Sequence, residues 1–486
     1  MNALGKKTVF VCIVISVLSA GLFGQAPDTL WTRTYGGSGY DEGNSILQLN
    51  DGGYFVLGNS SSFSSYDKIY LLRINSSGDT LWSRIYGQDS YNDGYRIRPT
   101  PDSGFIIAGI ANAMFSNEDC YLLKINGSGD TLWSRKYGGL GVDEGYAVQP
   151  TSDGGYILVG YTDSYGTGGD IYLIKTDAGG DTTWTRTYGN TDVDFGSDAR
   201  ELPGGGYIII GTTVSYGPNL DDVYIIKTNP NGDSIWTRTY GKPNHVDWGL
   251  ALDLLPDSGF IVAGWTCPMS GVNAEAYLLR LKANGDTLWT RTFGGADDDY
   301  ARYVQKTPDG GFIVTGFTYS YGAGQCDVWL LKVNAGGDTV WTKTVGGPEV
   351  DAGATVIPTS DHGYIAVGYS ESFDPNGDIY VIKIAPDMGV TQETNGNRQK
   401  TAHLFEIQPN PIHNEFTIQY ALSGQAEVRI LLFDVSGRLI SVLANDPQSS
   451  GVHREQFKRT NLPQGIYFIT IDIEGRRETR KIILLK

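Results

Sequence analysis

Residues 144–190 read EGYAVQPTSDGGYILVGYTDSYGTGGDIYLIKTDAGGDTTWTRTYGN. Four short runs rich in Tyr, Ile, Val, Thr and Trp (EGYAVQPT, YILVGYT, DIYLIKTD and DTTWTRTYG) are separated by turns of Gly, Asp and Ser. That pattern predicts four short β-strands, here called a, b, c and d. The Asp-Gly of the a–b turn supplies the positive φ that a tight hairpin demands. No 10–15 residue helical pattern interrupts the run.

Outward from this stretch the same phrase recurs. Trp31, Trp82, Trp133, Trp184, Trp236, Trp289 and Trp341 each open a version of it, from WTRTYG at Trp31 to WTKTVG at Trp341, spaced 51 to 53 residues apart. Four strands in a unit of that length is the period of a propeller blade, and a repeat sets the architecture because each unit is buried by its neighbours. The a–b–c set occurs seven times, and the last, ending at DIYVIKIA (378–385), has no d strand after it. The missing strand, DTLWTRTYG (28–36), precedes the first set. An open solenoid has no use for that offset, whereas a ring uses it to remove two free edges. The expected fold is all-β: a seven-bladed β-propeller over 26–388, with four-stranded blades and a 3+1 closure by the N-terminal strand.

Residues that repeat in every unit serve the unit. The tryptophans share a strand face with a basic residue two positions on: Arg33, Arg84, Arg135, Arg186, Arg238, Arg291 and Lys343. Each Trp is expected to pack against the adjacent blade, its cation lying over an aromatic or paired to a carboxylate. A matching acid opens most c strands: Asp119, Asp170, Asp222, Glu275, Asp327 and Asp378, with Lys68 in the first unit. A second sevenfold set, Asp41, Asn92, Asp143, Asp194, Asp247, Asp299 and Asp351, stands at the start of strand a. It either holds a cation at the channel mouth or, as repeated loop-to-strand Asp residues more often do, accepts backbone hydrogen bonds in a tight connection.

A specific site must break the symmetry. The a–b and c–d turns are nearly the same in every unit, whereas the b–c loops on the other face differ (TDSYGTGGD, TCPMSGVNAE, SESFDPNGD), and variable loops on a rigid scaffold carry binding. The fifth unit departs furthest, with His245, Trp248, Trp265, Cys267, Pro268 and Met269. His245, Trp248 and Trp265 are the candidate ligand-binding residues: a Trp pair beside acids can stack on sugar rings, or these are substitutions that packing tolerates.

Catalytic constellations are scarce. His245 and His362 are the propeller's histidines, and there is no His/Cys cluster with metal spacing, no GxSxG elbow and no GxxxxGK[ST] loop. No catalytic residue, metal ligand or cofactor is therefore assigned. Carboxylate-only glycosidase chemistry needs no such motif, so an extracellular polysaccharide-degrading enzyme stays open beside a non-catalytic module for glycan or protein ligands.

Residues 1–25 read as a secretory signal peptide: Lys6 and Lys7, an apolar run from Val9 to Leu22, then small residues before a cut near Gly24–Ala26. Nothing later approaches twenty apolar residues, so no transmembrane segment is expected in the mature chain. Three cysteines lie beyond it, Cys120, Cys267 and Cys326, scattered among units, and no disulfide is expected. After a polar linker at 389–402, residues 403–486 carry 10 Lys/Arg and 9 Asp/Glu, leaving 27 against 45 in the remainder. An acidic propeller argues against nucleic-acid binding.

The terminal segment, with six or seven short strands, reads as a small Ig-like β-sandwich. It resembles the type A C-terminal sorting domain of the type IX (Por) secretion system. The likeness rests on Pro409-Asn410-Pro411, Phe433-Asp434-Val435-Ser436-Gly437-Arg438, Leu462-Pro463-Gln464-Gly465-Ile466-Tyr467-Phe468 and Lys481-Ile482-Ile483-Leu484-Leu485-Lys486. The resemblance implies export to the periplasm and recognition by the outer-membrane translocon and sortase. It further implies that the protein is secreted or attached to the outer-membrane surface. The repeats, with their DIYLIK and GDTLW phrases, are similar to those of secreted bacterial β-propellers. GDTLW is also similar to the tryptophan-docked blades of quinoprotein dehydrogenases, a likeness of fold only, since there is no adjacent Cys pair.

Overall fold

The computed structural model describes residues 26–87, 91–111, 117–217, 221–387, 405–408, 412–422, 425–434, 439–449, 451–459, 462–473 and 476–485. The signal-peptide and linker assignments lie outside them. The chain divides after Asp387 into two compact units.

In the first unit seven four-stranded antiparallel sheets follow one another. Sheets 1 to 6 run through residues 41–86, 92–137, 143–188, 194–240, 245–293 and 299–345, each in the order a-b-c-d. Sheet 7 takes three strands from 351–384, and its fourth is Thr29–Tyr35, paired antiparallel to Asp378–Ile384 with Trp31 opposite Lys383. Strands b and c are buried almost throughout, as in Tyr54–Ser60 and Lys68–Ile74, while strand d alternates toward solvent.

Neighbouring sheets pack face to face. Leu47, Phe55 and Leu71 of sheet 1 share a buried cluster with Ile97, Phe105 and Leu123 of sheet 2. On its other face sheet 1 packs Ile46, Tyr54, Val56 and Leu72 against Ile365, Val367, Ile379 and Val381 of sheet 7. The sheets therefore follow one another in a circle, with the N-terminal strand supplying the fourth strand of the last.

The a–b turns carry one conformational requirement seven times. Gly52, Gly154, Gly205 and Gly310 have φ near +80°, and Ser103, Ser258 and His362 occupy the same turn position at φ 63° to 64°. His362 thus takes a turn role at its position. The turn Asp anchors a cation buried in strand c: Asp102 lies 2.8 Å from Lys124 Nζ, Asp309 2.8 Å from Lys332 Nζ and Asp361 2.8 Å from Lys383 Nζ. The paired, hydrogen-bonded arrangement satisfies a charge that is otherwise costly to bury.

The second unit has two antiparallel sheets. One orders Phe405–Gln408, Glu415–Leu422 and Gly451–Lys458; the other orders Leu439–Gln448, Ala426–Asp434, Gly465–Ile473 and Arg476–Leu484. Phe416, Ile418 and Tyr420 of the first share one buried cluster with Ile430, Leu432, Ile469 and Ile471 of the second.

Candidate functional site at the channel mouth

The repeat tryptophans come first, because their surroundings separate mortar from site. Trp133 meets Tyr156 of the next sheet edge-on at 5.9 Å, Trp184 meets Tyr207 at 5.9 Å, and Trp341 meets Tyr364 at 5.8 Å. Trp82 packs on Phe55 and on the turn at Gly129; Trp31 and Trp236 lie on the turns at Gly78 and Gly285. Trp289 Nε1 donates to Ala335 O at 3.1 Å. Four residues after the Trp, a tyrosine hydroxyl donates to the carbonyl of the next c–d turn: Tyr86 to Gly129, Tyr137 to Gly180, Tyr240 to Gly285, and Tyr35 of the N-terminal strand to Gly78 across the closure.

Six arginines lie over their own tryptophans, from Arg84 at 5.1 Å to Arg33 at 5.9 Å. Their carboxylate partners are the c–d turn aspartates of the following unit: Arg135 Nε to Asp181 at 3.3 Å, Arg186 to Asp233 at 3.2 Å and Arg238 to Asp286 at 2.9 Å. The acids that open the c strands lie instead beside the Asp set of strand a. There Asp143 Oδ2 accepts from Gly139 N at 2.8 Å and Ser164 Oγ at 2.6 Å, and Asp351 Oδ2 from Gly347 N at 2.7 Å and Ser372 Oγ at 2.6 Å.

Symmetry breaks at the second residue of strand a, which lines the channel mouth on the variable-loop face. Going around the ring it is Glu42, Asp93 and Glu144, then Phe195, Trp248 and Tyr300, then Ala352. Three consecutive acids face three consecutive aromatics. The aromatic half is extended by strand b: Trp248 sits opposite Trp265, and Tyr300 opposite Phe317. The result is an unbroken arc of rings. Tyr161 stacks on Phe195 at 5.0 Å, Phe195 on Trp248 at 5.9 Å, and Trp248 on Trp265 at 5.7 Å and 12°. Trp265 meets Tyr300 edge-on at 5.5 Å, and Tyr300 stacks on Phe317 at 4.7 Å. Trp248 Nε1 donates to Asp221 Oδ2 at 3.0 Å, which fixes that ring's orientation. Of the three expected site residues, Trp248 and Trp265 are brought together here. His245 opens the same strand three residues before Trp248, opposite Pro268 and outside the arc, its Nδ1 3.0 Å from Pro243 O.

The acidic half was not singled out from the sequence, although its residues stand in plain view after each Asp or Asn (DEG, NDG, DEG). Burial pushes the Asp93 carboxyl up to about 7, helped by repulsion from Asp67, Glu42, Glu118 and Glu144. Burial and the adjacent Glu144 likewise push Glu118 up to about 7. Tyr40 O–H donates to Glu42 Oε2 at 2.9 Å, and Tyr146 O–H to Glu144. Beneath the mouth, Arg96 of sheet 2 reaches across the lumen. It lies 4.8 Å from the Tyr303 ring of sheet 6 and donates to Thr355 Oγ1 of sheet 7 at 3.1 Å. A groove of about 460 Å³ lies on the opposite face, against Leu255, Pro256 and Pro308, far from these groups.

In the second unit, Asp434 and Tyr467 sit opposite each other in the ladder, Lys481 faces Phe468, and Tyr467 O–H donates to Pro463 O at 3.2 Å just ahead of Gly465. Pro409, Asn410, Pro411, Gly437, Arg438 and Lys486 lie outside the described residues.

A ring of repeated four-stranded sheets joined to a separate two-sheet tail defines an exported β-propeller protein. Residues 406–485 match the family model described as a secretion system C-terminal sorting domain. The tail implies interaction with the type IX system and a secreted or cell-surface location. Among the described residues no helix is long and apolar enough to cross a membrane. The regulatory protein FlaEY of Caulobacter vibrioides is 23% identical over 346 residues, covering 63% of this chain and 35% of its own length. The chain thus spans about a third of that curated relative. Among solved structures, PorZ, an essential bacterial surface component of the type IX secretion system of Porphyromonas gingivalis, is similar over 90% of this chain and 59% of its own, at 12% identity and a TM-score of 0.45. A puromycin hydrolase is similar over 79% of this chain and 59% of its own, at 16% identity and the same TM-score.

Proposed function

We propose that this protein is a seven-bladed β-propeller, closed by its N-terminal strand and exported by an Ig-like sandwich tail, that binds extracellular glycan at the channel mouth without turning it over. The arc from Tyr161 through Trp248 and Trp265 to Phe317 carries this reading. Half-exposed rings on a rigid ring of sheets present flat apolar faces at fixed positions, which is what stacking on a sugar ring requires. The facing carboxylates accept hydrogen bonds from sugar hydroxyls. Panel binding by the intact exported chain tests it: retention of at least one polysaccharide with no release of reducing ends supports the binder.

The acidic half supports a second reading. A carboxyl held protonated near neutral pH beside a second carboxyl is the acid–base pairing of glycoside hydrolysis, and Glu118, raised to about 7, stands beside Glu144. Product release abolished by Glu118→Gln would replace the binder with an enzyme.

A further inference from the structure

Each junction between neighbouring sheets brings the first residue of one c strand against the first residue of the next a strand. The same backbone bond marks all seven: Asp41 N–H donates to Gly377 O, Asp194 to Gly169 O, Asp351 to Cys326 O, and Asn92 to Asp67 O. Five of these junctions pair two aspartates: Asp378 with Asp41, Asp119 with Asp143, Asp170 with Asp194, Asp222 with Asp247, and Asp327 with Asp351. In each, an oxygen of both carboxylates lies under 3.0 Å from the point where a Cβ on Gly36, Gly138, Gly189, Gly241 or Gly346 would stand. A methyl group has no room there; the glycine leaves the space to the acids.

Two carboxylates so placed repel one another, and burial makes the repulsion worse. Asp41, Asp194 and Asp351 are wholly buried, and their Oδ1 atoms, like Asp378 Oδ1, take no hydrogen bond. Among the described residues Asp378, Asp41, Asp170, Asp194, Asp327 and Asp351 form no ion pair with a Lys or Arg, which sets these three junctions apart.

At the other four junctions a lysine stands close; at the Asp222–Asp247 pair it is Lys242, which follows Gly241 and whose backbone N–H donates to Asp247 Oδ2 at 2.9 Å. Glu275, the acid of the junction with Asp299, holds Lys242 Nζ at 3.0 Å. Asp119, beside Asp143, has Lys136 Nζ at 4.0 Å. At the junction of sheets 1 and 2 both acids are replaced together: Lys68 stands opposite Ser60 in the register that Asp378 holds opposite Ser370, and Asn92 takes the place of Asp. The hydroxyl that faces the strand-a acid elsewhere (Ser60, Thr213, Ser370) is there Ala111. One junction has exchanged two carboxylates and a hydroxyl for an ammonium, an amide and a methyl.

We propose that the Asp378–Asp41, Asp170–Asp194 and Asp327–Asp351 junctions are divalent-cation sites of the calcium kind, and that the Lys68 ammonium is a built-in substitute for the ion at the first junction. The donors are all oxygen (carboxylates, the Ser or Thr hydroxyl and main-chain carbonyls), the set a hard cation takes in preference to zinc. Each ion joins two sheets, so the ring tightens where calcium is plentiful. Affinities in the 10⁻⁴–10⁻³ M range of extracellular modules are expected.

The test uses the full chain, stripped with chelator and dialysed against millimolar ⁴⁵Ca. At least three ions per chain are expected, with an unfolding temperature that rises with calcium and falls again with chelator. The double variant Asp378→Lys/Asp41→Asn copies the Lys68–Asn92 pair and should bind one ion fewer while unfolding at a calcium-independent local midpoint. Should that variant not fold, the wild-type count still decides. No bound calcium and no calcium effect on unfolding overturns the proposal. In that event stabilisation of the stripped protein on acidification toward pH 5 identifies a shared proton in place of the ion.

Discussion

The circle of sheets stands on its junction tryptophans, and the one buried member of that set should differ measurably from a half-buried one. Trp341 is 2% exposed, and its Nε1 donates to Asp387 Oδ1 at 2.6 Å; Asp387 also takes the Tyr364 hydroxyl. Trp341→Ala leaves a cavity in the cluster around Trp329, Tyr364 and Ile384, and it deprives a carboxyl that burial already pushes up of one donor. Removal of a buried Trp costs about 3–5 kcal/mol, and the lost donor places this variant at the upper end. Trp133 is half-buried, with one edge on Tyr156 and the Arg135 guanidinium 5.6 Å above it. Water refills much of the space left by Trp133→Ala, so about half the transfer energy and about 0.5–1 kcal/mol of cation–π attraction are lost, roughly 2 kcal/mol in all. Urea unfolding followed by far-UV circular dichroism compares the two midpoints without a two-state assumption. Equal losses, or a larger loss for Trp133→Ala, would refute the reasoning that burial at the junction sets each tryptophan's contribution.

Tyr137→Phe removes the hydroxyl that donates to Gly180 O at 2.6 Å and leaves that carbonyl short of a partner. A loss of about 1 kcal/mol is expected, small because the chain itself has Phe293 at the matching position. Trp265→Ala should weaken binding of a retained glycan tenfold or more, about 1.4 kcal/mol, while costing no more stability than the roughly 2 kcal/mol expected of the equally half-buried Trp133→Ala. Asp93 has a folded-state pKa of about 7 against 3.8, so its contribution to stability is present below about pH 4 and is lost as pH rises through 7. The wild type minus Asp93→Asn difference should therefore fall across that window, by at most about 1.4 kcal/mol per pH unit; a flat difference removes the buried-acid account. A chain lacking residues 403–486 should accumulate in the periplasm, and cell fractionation that finds it displayed on the surface would detach export from the tail.

The all-β repeat and its offset were legible because both depend on sequence period alone: four β-rich runs per unit, and a d strand supplied from the wrong end. The partners of the junction arginines were not. Arg135 pairs with Asp181, 46 positions on in another unit's turn, and strand alternation contains no information about which neighbouring turn comes near. The acidic half of the mouth escaped notice for a related reason. Glu42, Asp93 and Glu144 resemble ordinary solvated acids until the side-by-side placement of sheets 1, 2 and 3 brings them near one another. Trp248 and Trp265 stood out because they are chemically unlike their counterparts. Phe195 and Tyr300, which complete the arc, did not, since aromatics are common throughout the repeats.

A ring of sequential sheets converts chain order into spatial order, and this gives the mouth its polarity. Three acids in consecutive units become one contiguous arc, and three aromatics in the next units become the arc opposite. Scattered over the same seven positions, these residues would average to a weak, mixed surface; grouped, they make a seat with two unlike sides. In the proposed glycan reading, a sugar ring stacked on the aromatic side would turn its hydroxyl edge toward the acids on the other. Burial first, and then the like charges gathered on one side, raise the Asp93 and Glu118 carboxyls. Exchanging one acid with one aromatic, as in Glu144→Phe with Phe195→Glu, leaves composition and net charge unchanged while breaking both arcs. Binding that survives this exchange would show that the order of residues around the ring is immaterial; loss of binding with an unchanged unfolding midpoint would show that the order is what the ligand reads.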